Sequence, residues 1–285
     1  MQVVIRHASP ADAPTCGQIC YEAFATIADR HGFPSDMPSA KAAQGLLSSL
    51  VNDPRFFGVV AETGGTVVGS NFLDERSTIY SVGPVTVAPD AQGHHIGTAL
   101  MQAVLDRYTL RGGTGVRLVQ VSYNSTSLSL YTKLGFEMRE SLAALQGPAL
   151  KLAVPGYPVR LAADEDRQAC NELCLRVHGH DRAGELLDAV TLGKAKVVER
   201  QGRITGYSTG MGLYAHAVAE TNDDLVAMIG AADGFSGTGF LVPMRNTELL
   251  RWCIRQGLRC AHTFNLMSMG FYQEPRGAVL ASIGY

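Results

Sequence analysis

Residues Val85 to Met101 read VTVAPDAQGHHIGTALM, and the fold follows from how this stretch changes character along its length. A β-branched run, Val85, Thr86 and Val87, stops at Pro89, crosses a polar loop holding Gly93 and Gly97, and passes into apolar residues at helical spacing: Leu100, Met101, Val104, Leu105 and Tyr108. The order is strand, loop, helix. Such a loop aims unpaired backbone N–H groups along a helix N-terminus, where they and the helix dipole favour an anion such as a pyrophosphate. An ordinary surface turn between strand and helix is the simpler reading of the same residues.

The spacing Gln92-Gly93-His94-His95-Ile96-Gly97 resembles the Q/R-x-x-G-x-G/A motif of the GCN5-related N-acetyltransferases (GNAT), which bind the pyrophosphate of acetyl-CoA there. The resemblance implies that Gln92, Gly93, His94, His95, Ile96, Gly97 and Thr98 hold that group. One position departs from it: the central glycine is His95. A left-handed backbone there costs a side-chain-bearing residue about 1 to 2 kcal/mol, which an imidazole–phosphate contact would offset.

Length and composition bound the rest. With 285 residues the chain has material for two domains, and 46% hydrophobic against 18% charged residues describes an ordinary globular protein. Lys plus Arg number 24 against 26 Asp plus Glu, a net charge of −2, which supplies no basic field for nucleic acid or anionic membranes. No stretch reaches the roughly 18 consecutive apolar residues of a spanning helix. The opening MQVVIRHASPAD lacks the apolar core of a signal peptide, so a cytoplasmic location is expected. Cys16 and Cys20, and again Cys170 and Cys174, are four apart among apolar neighbours, the pattern of small hydrophobes on a helix face. A zinc site would need a second nearby pair, and no metal is expected.

Val3 to His7 reads as a strand, Ala11 to Phe24 and Ser39 to Val51 as helices, and Phe56 to Glu62 with Thr66 to Asp74 as a hairpin through Thr63-Gly64-Gly65. The strand from Ile79 to Ala88 is interrupted at Gly83-Pro84, which marks a bulge or an edge. In the GNAT family the matching strand carries a bulge and splays from the next, opening a cleft for the pantetheine arm. By that resemblance the amides of Val85, Thr86 and Val87 bind pantetheine and polarise the acetyl carbonyl.

A helix from Thr98 to Leu110 and a strand from Val116 to Tyr123 follow, and then NSTSLSLYTKLGFEMRE from Asn124 to Glu140. Asn124 or Ser125 can cap a helix that Gly135 ends. The run N-x-x-S-x-x-L-Y-x-K-L-G-F is similar to the family's second diagnostic motif, with Asn124, Ser127, Leu130, Tyr131, Gly135 and Phe136 in place. Two motifs in the right order and separation identify an α+β (α/β/α) GNAT fold, a mixed, mostly antiparallel sheet flanked by helices.

The chain then starts again. VIRHASPADAPTCGQIC from Val4 matches PVRLAADEDRQACNELC from Pro158, aligning Arg6 with Arg160, Asp12 with Asp166 and both cysteine pairs. Glu62, Gly65 and Gly69 likewise resemble Glu199, Gly202 and Gly206. We therefore expect tandem folds: residues 1–152 with the acetyl-CoA site, a linker at 153–158, and a divergent second copy over 159–285. The helix from Asn246 to Gln256 is introduced by FLVPMRN, without a phosphate-loop motif. Gly234, Gly237 and Gly239 run into Phe240 to Pro243, not a helix, so a dinucleotide fingerprint fails. One acetyl-CoA site per chain is expected.

The resemblance implies an N-acetyltransferase that moves an acetyl group from acetyl-CoA to a primary amine of a small molecule or peptide by direct transfer. By resemblance Tyr131 would protonate the departing thiolate from the start of its helix, and Asn124 and Ser127 would line the cofactor cleft. The alternatives are a packed tyrosine and a plain helix cap. Glu75 or Asp74, at a strand end, and the carboxylate of Tyr285 are candidate bases, and His94 or His95 could neutralise phosphate charge. A non-catalytic acyl-CoA sensor is the alternative function. Neither the amine nor the oligomeric state can be read from the sequence.

Overall fold

In the computed structural model, which describes residues 2–284, the strand Val3–His7 (β1) stops where Ser9 and Pro10 start a single 3-10 turn. A helix Ala13–His31 (α1) follows and ends on Gly32 at φ 72°, a left-handed position that glycine takes without strain. The helix Ala40–Asn52 (α2) is capped by Ser39, whose side chain accepts from the Ala42 amide at 3.1 Å. Gly17 lets α1 and α2 touch: a Cβ there would lie 2.5 Å from the Gln44 backbone. Contacts divide the chain into two compact units, one reaching Glu75 and resuming from Tyr80 to Val116, the other formed by Arg76–Ile79 and the chain from Arg117 onward.

In the first unit Phe56–Thr63 (β2) pairs antiparallel with β1 and with Thr66–Asp74 (β3), the hairpin turning at Gly64 and Gly65 with φ 57° and 80°. Cys16 and Cys20 are fully buried with Leu47, Val60 and Phe72, in the hydrophobic role expected of them. The expected single strand is split by Gly83-Pro84 into Ile79–Val82 (β4) and Thr86–Val87 (β5), both paired with β3. Gly83, Pro84 and Val85 stand opposite only Asn71 and Phe72, so the interruption is a bulge. The helix Ile96–Leu110 (α3) completes this unit and buries Leu100, Met101, Val104 and Leu105.

The second unit holds a four-strand run and a separate five-stranded sheet. Gly115–Val121 (β6), Glu137–Gln146 (β7), Phe240–Pro243 (β12) and Arg259–Gly270 (β13) lie in the order β6-β13-β7-β12. Strands of the first copy thus alternate with strands of the second. Leu142 to Leu145 of β7, each at most 1% exposed, pair with β12 on one side and β13 on the other. The repeat boundary is a division of the sequence, and the contacts do not follow it.

The other sheet is formed by Val159–Leu161 (β8), Lys196–Arg200 (β9), Arg203–Ser208 (β10), Ala217–Ala219 (β11) and Ala278–Leu280 (β14), in the order β14-β11-β10-β9-β8. Four helices accompany the unit: Ser125–Lys133 (α4), Arg167–His178 (α5), Ala183–Thr191 (α6) and Asn222–Gly230 (α7). A fifth, Thr247–Arg255 (α8), precedes β13. No helix among the described residues is long and apolar enough to cross a membrane.

The repeat is physical as well as textual. Arg6 makes a bidentate pair with Asp12, both bonds at 2.8 Å, and reaches Glu62 at 2.9 Å. Arg160 does the same with Asp166, at 2.6 and 2.8 Å, and with Glu199 at 3.1 Å. In each copy the arginine sits opposite a valine, Val60 or Val197, two residues before the glutamate. The chain is a tandem of two α+β folds with mostly antiparallel sheets flanked by helices.

Candidate functional site

The first unit builds an anion-ready loop. Ala88 donates to Val68 at 2.8 Å, so Ala88 and, two residues earlier, Thr86 direct their backbone groups at β3. By alternation the amides of Val85 and Val87 turn away from β3, as the resemblance implies for groups that meet pantetheine. Gly69 makes the close approach possible, since a Cβ there would lie 2.7 Å from the Thr86 carbonyl. Pro89–Ala91 forms a 3-10 turn, and Gln92 reaches back to donate through Nε2 to the Val87 carbonyl at 3.2 Å. That bond ties the loop to the strand it leaves.

Gly93 then takes φ 84° and His95 takes φ 61°, ψ 10°, the left-handed conformation anticipated for the position where the motif has glycine. His95 is the N-cap of α3, but its imidazole does not cap the helix. The helix therefore begins at Ile96, two residues before Thr98 where the sequence pattern placed it. Gln92, Gly93, His94 and His95 are exposed, and the first turn of α3 carries no acidic residue. The amides of Ile96, Gly97 and Thr98 have no partner within the helix and carry the positive end of its dipole. Backbone N–H groups set out in this way favour an anion.

Glu75, a candidate base from its place at a strand end, is held in an ion pair. Its two carboxylate oxygens accept from Arg107 of α3 at 2.7 and 2.9 Å, Arg111 lies at 3.9 Å, and the side chain is only 9% exposed. The pair ties α3 to the end of β3 and leaves Glu75 occupied rather than poised as a base. Arg107 also lies over the Phe57 ring at 5.0 Å. The carboxylate of Tyr285 falls outside the described residues.

In the second unit the second motif folds as a capped helix. Asn124 Oδ1 accepts from the Ser127 amide at 3.1 Å, so its cap role is present, and Ser127 Oγ lies 2.9 Å from Gln120 Oε1. Tyr131 is the seventh of nine residues in α4, toward its end and not its start. It is 8% exposed against Phe136, with ring centroids 6.2 Å apart, and burial pushes its phenol up to about 12. A protonated phenol at neutral pH is a donor, which both the packed and the acid readings allow. The sequence reading missed Gln120 on β6. Its Nε2 is buried without a hydrogen-bond partner among the described residues, and only its inward register beside Ser127 could have pointed to it.

The second copy differs where the first has its loop. Gly206 pairs with Ala219 as Gly69 pairs with Val87, so β11 corresponds to β5 and the following helix is α7. The helix after Asn246, which the sequence reading compared with α3, is instead the counterpart of α4: Asn246 accepts from Leu249 as Asn124 does from Ser127. Only Glu220 and Thr221 separate β11 from α7, where Ala88 to His95 separate β5 from α3. The α7 N-terminus is closed by Thr221 and Asp224 in a capping box, and its first turn carries Asp223 and Asp224. The free edge of β11 is taken by β14, and Ala281 donates to Leu241 of β12 at 3.0 Å. Where the first copy has an exposed loop and an acid-free helix start, the second has acidic residues and a filled edge.

A strand, a bulge, a left-handed loop and an open helix N-terminus follow one another here in the order of the acetyltransferase fold. A model described as "Acetyltransferase (GNAT) family" matches residues 21–136. An acetyltransferase of Sodalis glossinidius (strain morsitans) is 34% identical over 99 residues, 34% of this chain and 67% of that protein. The chain belongs to the GNAT acetyltransferase family. A structure from Pyrococcus horikoshii, described as an acetyltransferase, shares the fold at TM-score 0.75 with 18% identity, covering 97% of this chain and 94% of that one. A tandem GNAT protein from the clavulanic acid biosynthesis pathway matches at TM-score 0.58 with 14% identity, over 94% and 98% of the two chains.

Proposed function

We propose that this protein is an N-acetyltransferase that binds acetyl-CoA through its first copy and transfers the acetyl group directly to a primary amine of a small molecule or peptide. The observation that carries the reading is the exposed loop from Gln92 to His95, with its left-handed Gly93 and His95, and the acid-free helix N-terminus at Ile96 to Thr98 that follows it. Three phosphate-facing amides and the helix dipole would hold the pyrophosphate, with Gln92 fixing the loop. The amides of Val85 and Val87 would bind the pantetheine and polarise the acetyl carbonyl. We assign Asn124 and Ser127 to the cofactor by the family resemblance.

In the transfer itself the amine nitrogen attacks the acetyl carbon, the C–S bond breaks, and Tyr131 gives its proton to the thiolate of CoA. Because Glu75 is held by Arg107, we assign the amine's proton to water rather than to that carboxylate. The occupied Glu75 is also what favours a second reading, an acyl-CoA sensor without catalysis. Tyr131→Phe separates the two. We expect turnover with a panel of amines to fall tenfold or more while CoA affinity is unchanged. An unaltered rate contradicts the acid role, and no CoA release from any amine by a protein that binds CoA contradicts catalysis.

A further inference from the structure

We infer that Asn71 is a positioning residue for the pantetheine arm: its side-chain amide pairs the backbone group that the bulge leaves over in β3, ties the bulge to α3, and so keeps the amides of Val85 and Val87 turned toward the ligand. Asn71 takes this part under the proposed acetyl-CoA reading, which gave it none. Every group involved lies in the first unit.

The register shows what the bulge leaves over. Ser70 stands opposite Thr86 and Leu73 opposite Val82, so the three residues Gly83 to Val85 face only Asn71 and Phe72. The Phe72 carbonyl accepts from the Gly83 amide at 2.9 Å, which places the backbone groups of Phe72 on the side of β4 and β5. Its N–H, on that same side, is satisfied by the neighbouring side chain: Asn71 Oδ1 accepts from it at 2.8 Å. Asn71 and Phe72 are both fully buried, where an N–H without a partner is costly.

The other end of the Asn71 amide points to the helix. Nδ2 donates to the Leu100 carbonyl at 3.3 Å and to the Met101 sulfur at 3.5 Å, both in α3. A helix carbonyl keeps a second lone pair for such a donor. One side chain thus joins the bulge to the helix that follows the exposed loop. Just past the bulge the Ser70 and Thr86 hydroxyls, also buried, share a hydrogen bond at 3.2 Å and pin β5 to β3.

The residue type is informative because strands disfavour asparagine, and a buried apolar side chain would suit this sheet. An amide satisfied at both ends specifies one arrangement of the backbone around it. Without Oδ1, the Phe72 N–H regains a partner only if the bulge closes. Closing it slips one flanking strand by a residue, and a one-residue slip of β5 turns the Val85 and Val87 amides into the ladder, away from the ligand.

Calorimetric titration of the full chain with CoA and with 3′-phospho-ADP, the nucleotide half of CoA, tests this part, because only CoA carries the pantetheine arm. We expect Asn71→Leu to weaken CoA binding about tenfold or more and to leave 3′-phospho-ADP binding within about threefold of wild type. Asn71→Ser, too short to bridge Phe72 and α3, gives the same split should Asn71→Leu fail to fold. Hydrogen exchange reads the cause: CoA slows exchange of the Val85 and Val87 amides in the wild type and not in the variant. The inference is overturned if a folded variant binds CoA as the wild type does, or if it loses both ligands alike, as a purely structural residue would. A wild-type protein that binds neither ligand overturns the acetyl-CoA reading itself, and the part given to Asn71 with it.

Discussion

His95 is the residue at which local strain and proposed function meet. A β-carbon in the left-handed region costs about 1 kcal/mol that glycine avoids, and the imidazole recovers none of it by capping α3. His95→Gly should therefore raise stability by about 1 kcal/mol in urea unfolding, with CoA affinity held within about threefold. A tenfold loss of affinity would make the imidazole a phosphate ligand. Glu75 carries the opposite expectation: Glu75→Gln breaks a bidentate pair and should cost about 1 to 2 kcal/mol of stability while leaving the acid limb of the pH–rate profile in place. Loss of that limb would show Glu75 to be a base. The left-handed turn was legible because a motif glycine marked its place. The Glu75 clamp was not, because Arg107 lies a helix away and two opposite charges in a sequence carry no information about distance.

At the scale of elements, the strands, helices and caps were largely legible from periodicity and from Ser39, Asn124 and Asn246, since those signals are local. The correspondence between copies was not. Helices α7 and α8 both begin with a side-chain cap and bury one face, and only the pairing of Gly206 with Ala219 shows which of them stands for α3. The repeated arginine–aspartate pairs do the same work in each copy: they tie the first strand of that copy to the turn before its first helix. The guanidinium of Arg6 holds the Asp12 carboxyl well below the usual carboxylate range, and Arg160 lowers Asp166 in the same way. A depressed folded-state pKa gives stability that is fully present above the unfolded value, near pH 4, and is lost progressively as pH falls from there through the lower folded-state value. Asp12→Asn and Asp166→Asn should each destabilise the protein at pH 7, and the deficit against wild type should shrink below about pH 4. A deficit that is constant with pH would assign the effect to packing.

For the molecule as a whole, tandem duplication left two copies with unequal chemistry. Duplication was legible in the matched residues from Val4 and Pro158, but the alternation β6-β13-β7-β12 was not. Leu142 to Leu145 present the same apolar pattern to any neighbour, so periodicity cannot name the strand that pairs with them. Under the proposed function, the contrast between the loop before α3 and the closed acidic start of α7 predicts a single acetyl-CoA site. Calorimetric titration of the full chain with CoA, alone and with Thr98→Asp, tests that claim most directly. The substitution gives α3 the acidic first turn that α7 already has, which suits a helix N-terminus and repels a phosphate. The account predicts one CoA per chain and at least a tenfold loss of affinity in a Thr98→Asp protein of undiminished stability; two CoA per chain, or binding indifferent to the new carboxylate, would contradict it.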